Sequence, residues 1–457
     1  MSSHKRRQLR LAAFLSGIGA NVDAWRHPEA RSNVAADIES FKEAARIAEA
    51  GKFDFGFIAD STFITKDSTS YFLSRLEPIT ALSAVSSVTS RLGLVATMTT
   101  SFSEPFTTAR QLNSLDVISG GRAAWNAVTG ALEGHARNHG GEKLYEHALR
   151  YEIAAEYIEV VKGLWDSWDS DAFVRDKESG QYVDFDKMHT LDHKGAHFSV
   201  QGPLNIERSK QGRPVIFQAG ASEDGKELAA RVADAVFSGD VDDAPRHKAY
   251  YDDLKRRAAK YGRGPDDILI FPSITPIVGS TAEEAQRKYR EVCELLDIRV
   301  AIRYLSRYFS LFDFNQFPLD EPLPELGDIG KDSFRSTAEN YLRVAREKKL
   351  TLRQLALYAA NPADTFVGTP EQIADKLQRL FEDEVVDGFI LHAHLHPAGL
   401  RDFVEQVVPI LQARGIYRRE YESDTLRGNL GLSWPESRYA KTAAAPDAER
   451  APASATI

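Results

Sequence analysis

The chain has 457 residues, 43 % hydrophobic and 27 % charged, with 30 Gly, 19 Pro and a single Cys. That composition excludes a disordered, collagen-like or disulfide-stapled protein, and the lone Cys293 can build neither an intrachain disulfide nor a cysteine metal cluster. A formal net charge of −9 without a long run of like charge disfavours nucleic acid or an anionic membrane as partner, and no apolar stretch reaches the roughly 18 residues of a membrane span.

In chain order, Lys5-Arg6-Arg7 ahead of an apolar run has the outline of a short secretory signal, but Arg10 interrupts that run, so 9–15 is read as a buried first strand. A cytoplasmic location is expected, in keeping with the single cysteine. Helix 35–50, with Ile38, Phe41, Ala45 and Ala48 on one face, stops at Gly51. Strand 53–59, helix 77–90, strand 91–97, helix 107–118, strand 122–128 and a long helix 144–168 follow. The pattern dissolves over 170–213 and resumes with strand 214–219, helix 223–233, strand 235–238, helix 245–261, strand 268–278 and helix 281–296. A second irregular or helical excursion covers 297–367. Helix 370–384, strand 386–392 and helix 400–414 complete the repeat, and 441–457, rich in Ala, Pro and Ser, reads as a disordered tail.

Eight strands, each next to a helix, predict a (β/α)₈ barrel as one domain over 1–440, with long insertions after strands 4 and 7. An open doubly wound sheet would carry a glycine-rich phosphate loop after its first strand. Here only Gly17-x-Gly19 stands there, and no helix follows.

In a barrel the chemistry gathers where strands end. Asp60, Thr97, Asn126, Thr129 and Ser222 stand at four such ends, although each alone reads equally as a helix cap or turn residue. Gly220-Ala-Ser-Glu-Asp-Gly225 opens a helix after an apolar strand, a geometry that holds phosphate, with the adjacent Glu223 and Asp224 arguing for a plain Ser cap instead. His147 and Tyr151, four apart, share a helix face that could reach a phosphate or simply pack. His392-Ala-His394-Leu-His396 ends the eighth strand; alternate positions could direct His392 and His394 at a divalent metal, or they could be solvated histidines before a loop. His135, His139, His189, His193 and His197 lie in loops without a clear spacing. Arg299, Arg303, Tyr304, Arg307 and Tyr308 fall at helical spacing and could offer cations to an acidic substrate, or form a surface helix with its aromatic stripe packed on the barrel.

Six segments occur in order: Ala24-Trp-Arg-His-Pro28, Phe53-Asp-Phe-Gly-Phe-Ile-Ala-Asp60, Trp125-Asn-Ala-Val-Thr129, His147-x-x-x-Tyr151, Gln218-Ala-Gly-Ala-Ser222 and Arg427-Gly-Asn-Leu-Gly-Leu432. Together they resemble the bacterial-luciferase-like flavin-dependent monooxygenases, in the nitrilotriacetate and dibenzothiophene-sulfone monooxygenase branch. The resemblance implies a barrel that binds FMN, received as FMNH2 from a separate NAD(P)H:flavin reductase. It also implies reaction with O2 through a C4a-peroxyflavin to oxygenate a small substrate, an organosulfur or amino-polycarboxylate compound, with C–S or C–N cleavage. The family's FMN contacts map onto Asp60, Thr97, His147, Tyr151 and Ser222, with Ser222 at the phosphate; Thr129-Gly130 departs from the Thr-Ser of many relatives. The protein would exclude water and orient the substrate, with the two excursions as lid and pocket over the barrel mouth, and a homo-oligomer, dimer or tetramer, is expected. A metal-dependent barrel hydrolase using His392 and His394, and a flavin-binding protein without oxygenase activity, are the competing readings.

Overall fold

The computed structural model describes residues 7–440 apart from positions 16, 20, 32, 34, 328 and 330–333, so the segment read as a tail lies outside the described residues. Eight strands close into a barrel: β1 (Arg10–Phe14), β2 (Phe55–Ile58), β3 (Gly93–Thr99), β4 (Ala123–Val128), β5 (Val215–Gln218), β6 (Ala235–Asp240), β7 (Leu269–Ile274) and β8 (Gly388–Leu391). All neighbours are parallel, in the order β1-β8-β7-β6-β5-β4-β3-β2. Alternation sorts the side chains. Ala12, Phe14, Phe55, Phe57, Val95, Phe217, Phe271 and Ile390 fill the interior, whereas Leu11, Ala13, Leu94, Ala96, Trp125 and Ile216 meet the surrounding helices.

The helices include α1 (Ile38–Ala50), α2 (Pro78–Ser86), α3 (Pro105–Ser119), α4 (His147–Trp165), α5 (Glu223–Val232), α6 (Ala244–Lys260), α7 (Ala282–Glu294), α8 (Ile298–Tyr308), α9 (Arg335–Lys348), α10 (Leu352–Ala360), α11 (Pro370–Glu382) and α12 (Ala398–Gln406). Among the described residues none is long and apolar enough to cross a membrane. Two expected elements are divided at prolines, which lack the N–H that would continue them. Strand 268–278 ends at Ile274, and beyond Pro276 the pair Ile277–Val278 joins Val367–Gly368 in a separate small sheet. Helix 400–414 breaks near Pro409 into α12 and Val408–Ala413.

The expectation that 170–213 rises over the mouth is wrong. The 19 residues of α4 carry the chain from the mouth to the opposite end, about 28 Å, before that segment begins. Its short hairpin then runs back along the outer flank of α4, where His193 meets Glu156 at 2.9 Å and His197 meets Glu152 at 3.1 Å. The segment ends at the barrel floor, with Gln211 Nε2 donating to Asp116 and to the Ala123 carbonyl at the start of β4. The chain between β7 and α11 does lie at the mouth. Tyr304 of α8 stacks on Phe72, 6.0 Å between centroids, and Asn21 Nδ2 in the loop after β1 donates to the Val292 carbonyl at 3.2 Å.

The floor is closed by carboxylates and by the C-terminal segment. Asp54, Asp116, Asp234 and Asp387 accept the backbone N–H groups of Leu11, Ala123, Ile216 and Ile270, at 2.9–3.0 Å. Leu426, Leu430 and Leu432 plug the interior beneath β1–β8. Arg418 Nη2 donates to Asp54 at 2.6 Å, Arg427 grips Asp234 at 2.9 and 3.1 Å, and Lys255 reaches Asp387 at 2.9 Å. Asp116 has no such cation, only Ser209 and Gln211, and burial pushes its carboxyl up to about 6. Arg418→Ala, which strands the fully buried Asp54, is expected to cost about 3–5 kcal/mol in urea unfolding; Arg419→Ala, on the exposed side of the same turn, should stay within about 0.5 kcal/mol.

Candidate active site

One group of side chains surrounds the turn from β5 into α5. Ser222 caps α5, its Oγ accepting from the Gly225 N–H at 3.2 Å, and Gln218 Oε1 accepts from the Gly220 N–H at 2.7 Å. A Cβ on Gly220 would stand 2.7 Å from Gly225 Cα and 2.9 Å from the Tyr151 hydroxyl, so only glycine lets the turn close this tightly against α4. His147, the first residue of α4, has its ring 4.9 Å from that of Tyr151, and its Nδ1 lies 3.0 Å from Asp224 Oδ2. Glu223, which argued against an anion here, is tied to Lys226 and Arg257 and so carries compensated charge. A helix N-terminus flanked by two hydroxyls and an imidazole is a cradle suited to a phosphate monoester.

A second group lies inside the rim. Thr97 and Asn126 are register partners on β3 and β4, both inward, with Asn126 Nδ2 donating to Thr97 Oγ1 at 3.0 Å. Asn126 Oδ1 is buried without a hydrogen-bond partner, as is His392 Nε2. Beneath them Phe14, Phe57 and Phe237 form an aromatic floor, ring centroids 5.1–6.0 Å apart. Buried polar atoms left over against an apolar floor fit a planar ring that is itself rich in hydrogen-bonding groups.

The third group follows β2. Burial raises the Asp60 carboxyl above its ordinary range, against the opposing effects of the Ser61 N–H and Arg75. Arg75 lies over the rings of Tyr71 (4.6 Å) and Phe72 (5.3 Å) and donates to the Ala59 carbonyl at 3.3 Å. Ser61 Oγ is shared between His135 Nε2 at 3.1 Å and Arg307 Nη2 at 2.7 Å. Burial first, then the charges of Arg307 and other nearby groups, pulls His135 down to about 4, so its imidazole is neutral at pH 7.

All five residues carried over by resemblance thus stand at the C-terminal end of the barrel, in these three groups. The Thr129 carbonyl accepts from Ser101 Oγ at 2.7 Å, and Gly130 sits at φ +69° with His135 3.2 Å from where a Cβ would be, which suits glycine there. Of the five histidines expected in loops, His135 lies instead on a short helix, Glu133–Asn138, and joins the mouth with a buried hydrogen-bonding role; His139 stacks on Phe102, and His189, His193 and His197 pair with carboxylates elsewhere.

Neither reading of the strand-8 histidines holds. β8 ends at Leu391, so the two-residue alternation does not extend to His394. His392 turns inward against Phe14 and Tyr71, while His394 packs against Gly19 and Gly399; His394 and His396 are each 4 % exposed rather than solvated. Among the described residues no group of three or more His, Cys, Asp or Glu side chains is placed to hold a metal. Sequence reasoning missed Ser61, Tyr71, Phe72 and Arg75. They follow a strand end, but no spacing marks them.

A (β/α)₈ barrel with a helix N-terminus, two hydroxyls and an imidazole on one side of its mouth and an aromatic-floored polar rim beside it has residues that could hold a phosphate and a planar ring. A family model described as luciferase-like monooxygenase matches residues 17–388. The chain is 47 % identical to N-acetyl-S-(2-succino)cysteine monooxygenase of Bacillus subtilis (strain 168), over 96 % of this chain and 99 % of that one. It is 42 % identical to nitrilotriacetate monooxygenase component A of Aminobacter aminovorans, over 95 % and 99 %. Among solved structures, riboflavin lyase with modified FMN and riboflavin superposes with a TM-score of 0.81 at 32 % identity, over 95 % of this chain and 98 % of that one. The chain belongs to the luciferase-like monooxygenases, a family of flavin-dependent enzymes, and the resemblance of its motifs to the nitrilotriacetate branch is correct.

Burial holds His135, His392, His394 and His396 at about 4. Their unfolded counterparts take up protons near pH 6.5, so their contribution to stability is complete above that value and is lost as pH falls from about 6.5 towards 4. Urea midpoints should drop by several tenths of a molar or more between pH 7.5 and 5, and His396→Leu should flatten that dependence; an unchanged slope would count against neutral burial.

Proposed function

We propose that the chain is the oxygenase component of a two-component system. It takes FMNH2 from a separate NAD(P)H:flavin reductase in the cytoplasm and uses O2 to oxygenate a small organosulfur or amino-polycarboxylate compound, with C–S or C–N cleavage. The observation that carries this reading is the cradle of Ser222, His147, Tyr151 and the N-terminus of α5, standing at the same barrel end as the inward Thr97–Asn126 pair. The relatives agree with it: one is named for a thioether substrate, another for an amine and as a "component A", and a superposable structure contains modified FMN.

In this reading the phosphate takes the α5 N–H groups, Ser222, Tyr151 and His147, while Thr97, Asn126 and Asp60 meet the ring. Bound reduced flavin supplies the electrons and the activated oxygen. The chain's residues do the rest. Phe14, Phe57 and Phe237 exclude water from below, α8 covers the mouth from above, and Asn126 Oδ1 and His392 Nε2 remain free to orient polar edges.

Anaerobic titration with FMNH2 tests the cradle. Ser222→Ala should weaken binding roughly tenfold through one lost charge-assisted hydrogen bond, and Gly220→Ala should weaken it further because the added methyl closes the turn on Tyr151. Admitting O2 with N-acetyl-S-(2-succino)cysteine or nitrilotriacetate should yield oxygenated products only with FMNH2 present. Wild-type affinity in both variants, or flavin binding without product from any thioether or amine, would overturn the reading.

A further inference from the structure

The mouth holds a cation without a counter-ion. Arg307 is 4 % exposed, its Nη2 donates to Ser61 Oγ at 2.7 Å, its guanidinium lies 3.8 Å from the centre of the Phe72 ring, and its Nε has no acceptor. No carboxylate among the described residues comes within ion-pair distance of it. Elsewhere four buried cations meet carboxylates, Arg418 with Asp54, Arg208 with Asp166, Arg427 with Asp234 and Lys255 with Asp387, and the buried Arg122, which has none, spends its donors on the Ser119, Leu92 and Thr89 carbonyls and the Thr89 hydroxyl, whereas Arg307 keeps an Nε without any acceptor. Arg75 brings a second guanidinium to the same Phe72 ring, and the carboxyl of Asp60 acts on Arg75. The result is a positive, desolvated spot in a chain of net charge −9. Such a spot is costly when empty and favours an anion that brings its own hydrogen-bond acceptors.

We propose that Arg307, seconded by Arg75, receives a carboxylate of the substrate and makes the enzyme selective for anionic substrates. The proposal rests on the mouth being the oxygenation site. Ser61 fixes the guanidinium from one side and Phe72 supports its face, so the carboxylate approaches the remaining donors and exchanges water for charge-assisted hydrogen bonds in a low-dielectric setting. Arg307 is thereby a binding and specificity residue, set on the segment between β7 and α11 rather than on a barrel strand.

The test is calorimetric titration of the full chain, with and without FMN, using succinate and its neutral diamide, succinamide. Wild type should bind succinate roughly ten- to hundredfold more tightly than succinamide. Arg307→Gln should abolish that preference while FMN affinity is unchanged, and Arg307→Lys, which keeps the charge but loses the planar donors, should retain part of it. Equal binding of the two probes by wild type, no binding of either, or a preference that survives in Arg307→Gln overturns the proposal. A wild-type chain that prefers succinate yet binds no FMN overturns the flavin reading and leaves only the anion preference of Arg307 standing.

Discussion

The closure of the barrel floor is the constraint on which the rest depends. A parallel barrel leaves the first N–H groups of its strands facing one end, and a buried N–H without an acceptor is costly. Four aspartates supply those acceptors, and burying them creates a new difficulty, since an isolated carboxylate in a low-dielectric interior is worse than the N–H it satisfies. The C-terminal segment resolves it by bringing Arg418 and Arg427 under the barrel together with three leucines that plug the interior. Ligand access from that end is thereby closed. Everything that binds must enter at the opposite rim, where the strands end and each following helix presents its N-terminus.

At the rim, two regularities place the functional groups. Alternation along β3 and β4 puts Thr97 and Asn126 one inward layer above Val95 and Ala124, and the parallel register makes them direct neighbours. The N-terminus of α5 is pulled against α4 because Gly220 and Gly225 meet nearly in van der Waals contact, leaving the Tyr151 hydroxyl in the gap that a side chain would fill. The cradle is therefore a consequence of packing two helices closely, and its serine both caps the helix and faces the site.

The barrel was legible because its strands are short apolar runs bounded by turns and its helices have clear periodicity, and Asp60, Thr97 and Ser222 stood out as polar side chains at strand ends, while His147 and Tyr151 were singled out by their shared helix face and by the family resemblance. What was hidden depends on which end of the molecule a segment reaches. Nothing local in 170–213 tells that it starts below the barrel; the length of α4 decides it. His394 and His396 look solvated beside Pro397 and Gly399, yet the packing around Gly19 and Gly399 buries them. The helical spacing of Arg299, Arg303 and Arg307 reads equally as cations for an acidic substrate or as a surface helix and does not single out Arg307, because its environment, Ser61 and Phe72, belongs to a loop far earlier in the chain.

That last case shows how the two ends of the barrel divide the electrostatics. At the floor, Asp54, Asp234 and Asp387 are matched by cations of the chain, and Asp116 is answered by Ser209 and Gln211 instead, so these groups are spent on the fold. At the mouth burial keeps His135 and His392 neutral, Asp60 is answered by Arg75, and Arg307 is left over. A fold needing only stability would replace such an arginine with an apolar residue at little cost. Retaining a guanidinium there makes sense where an incoming ligand completes the pair, and the residue is carried by a helix outside the barrel strands.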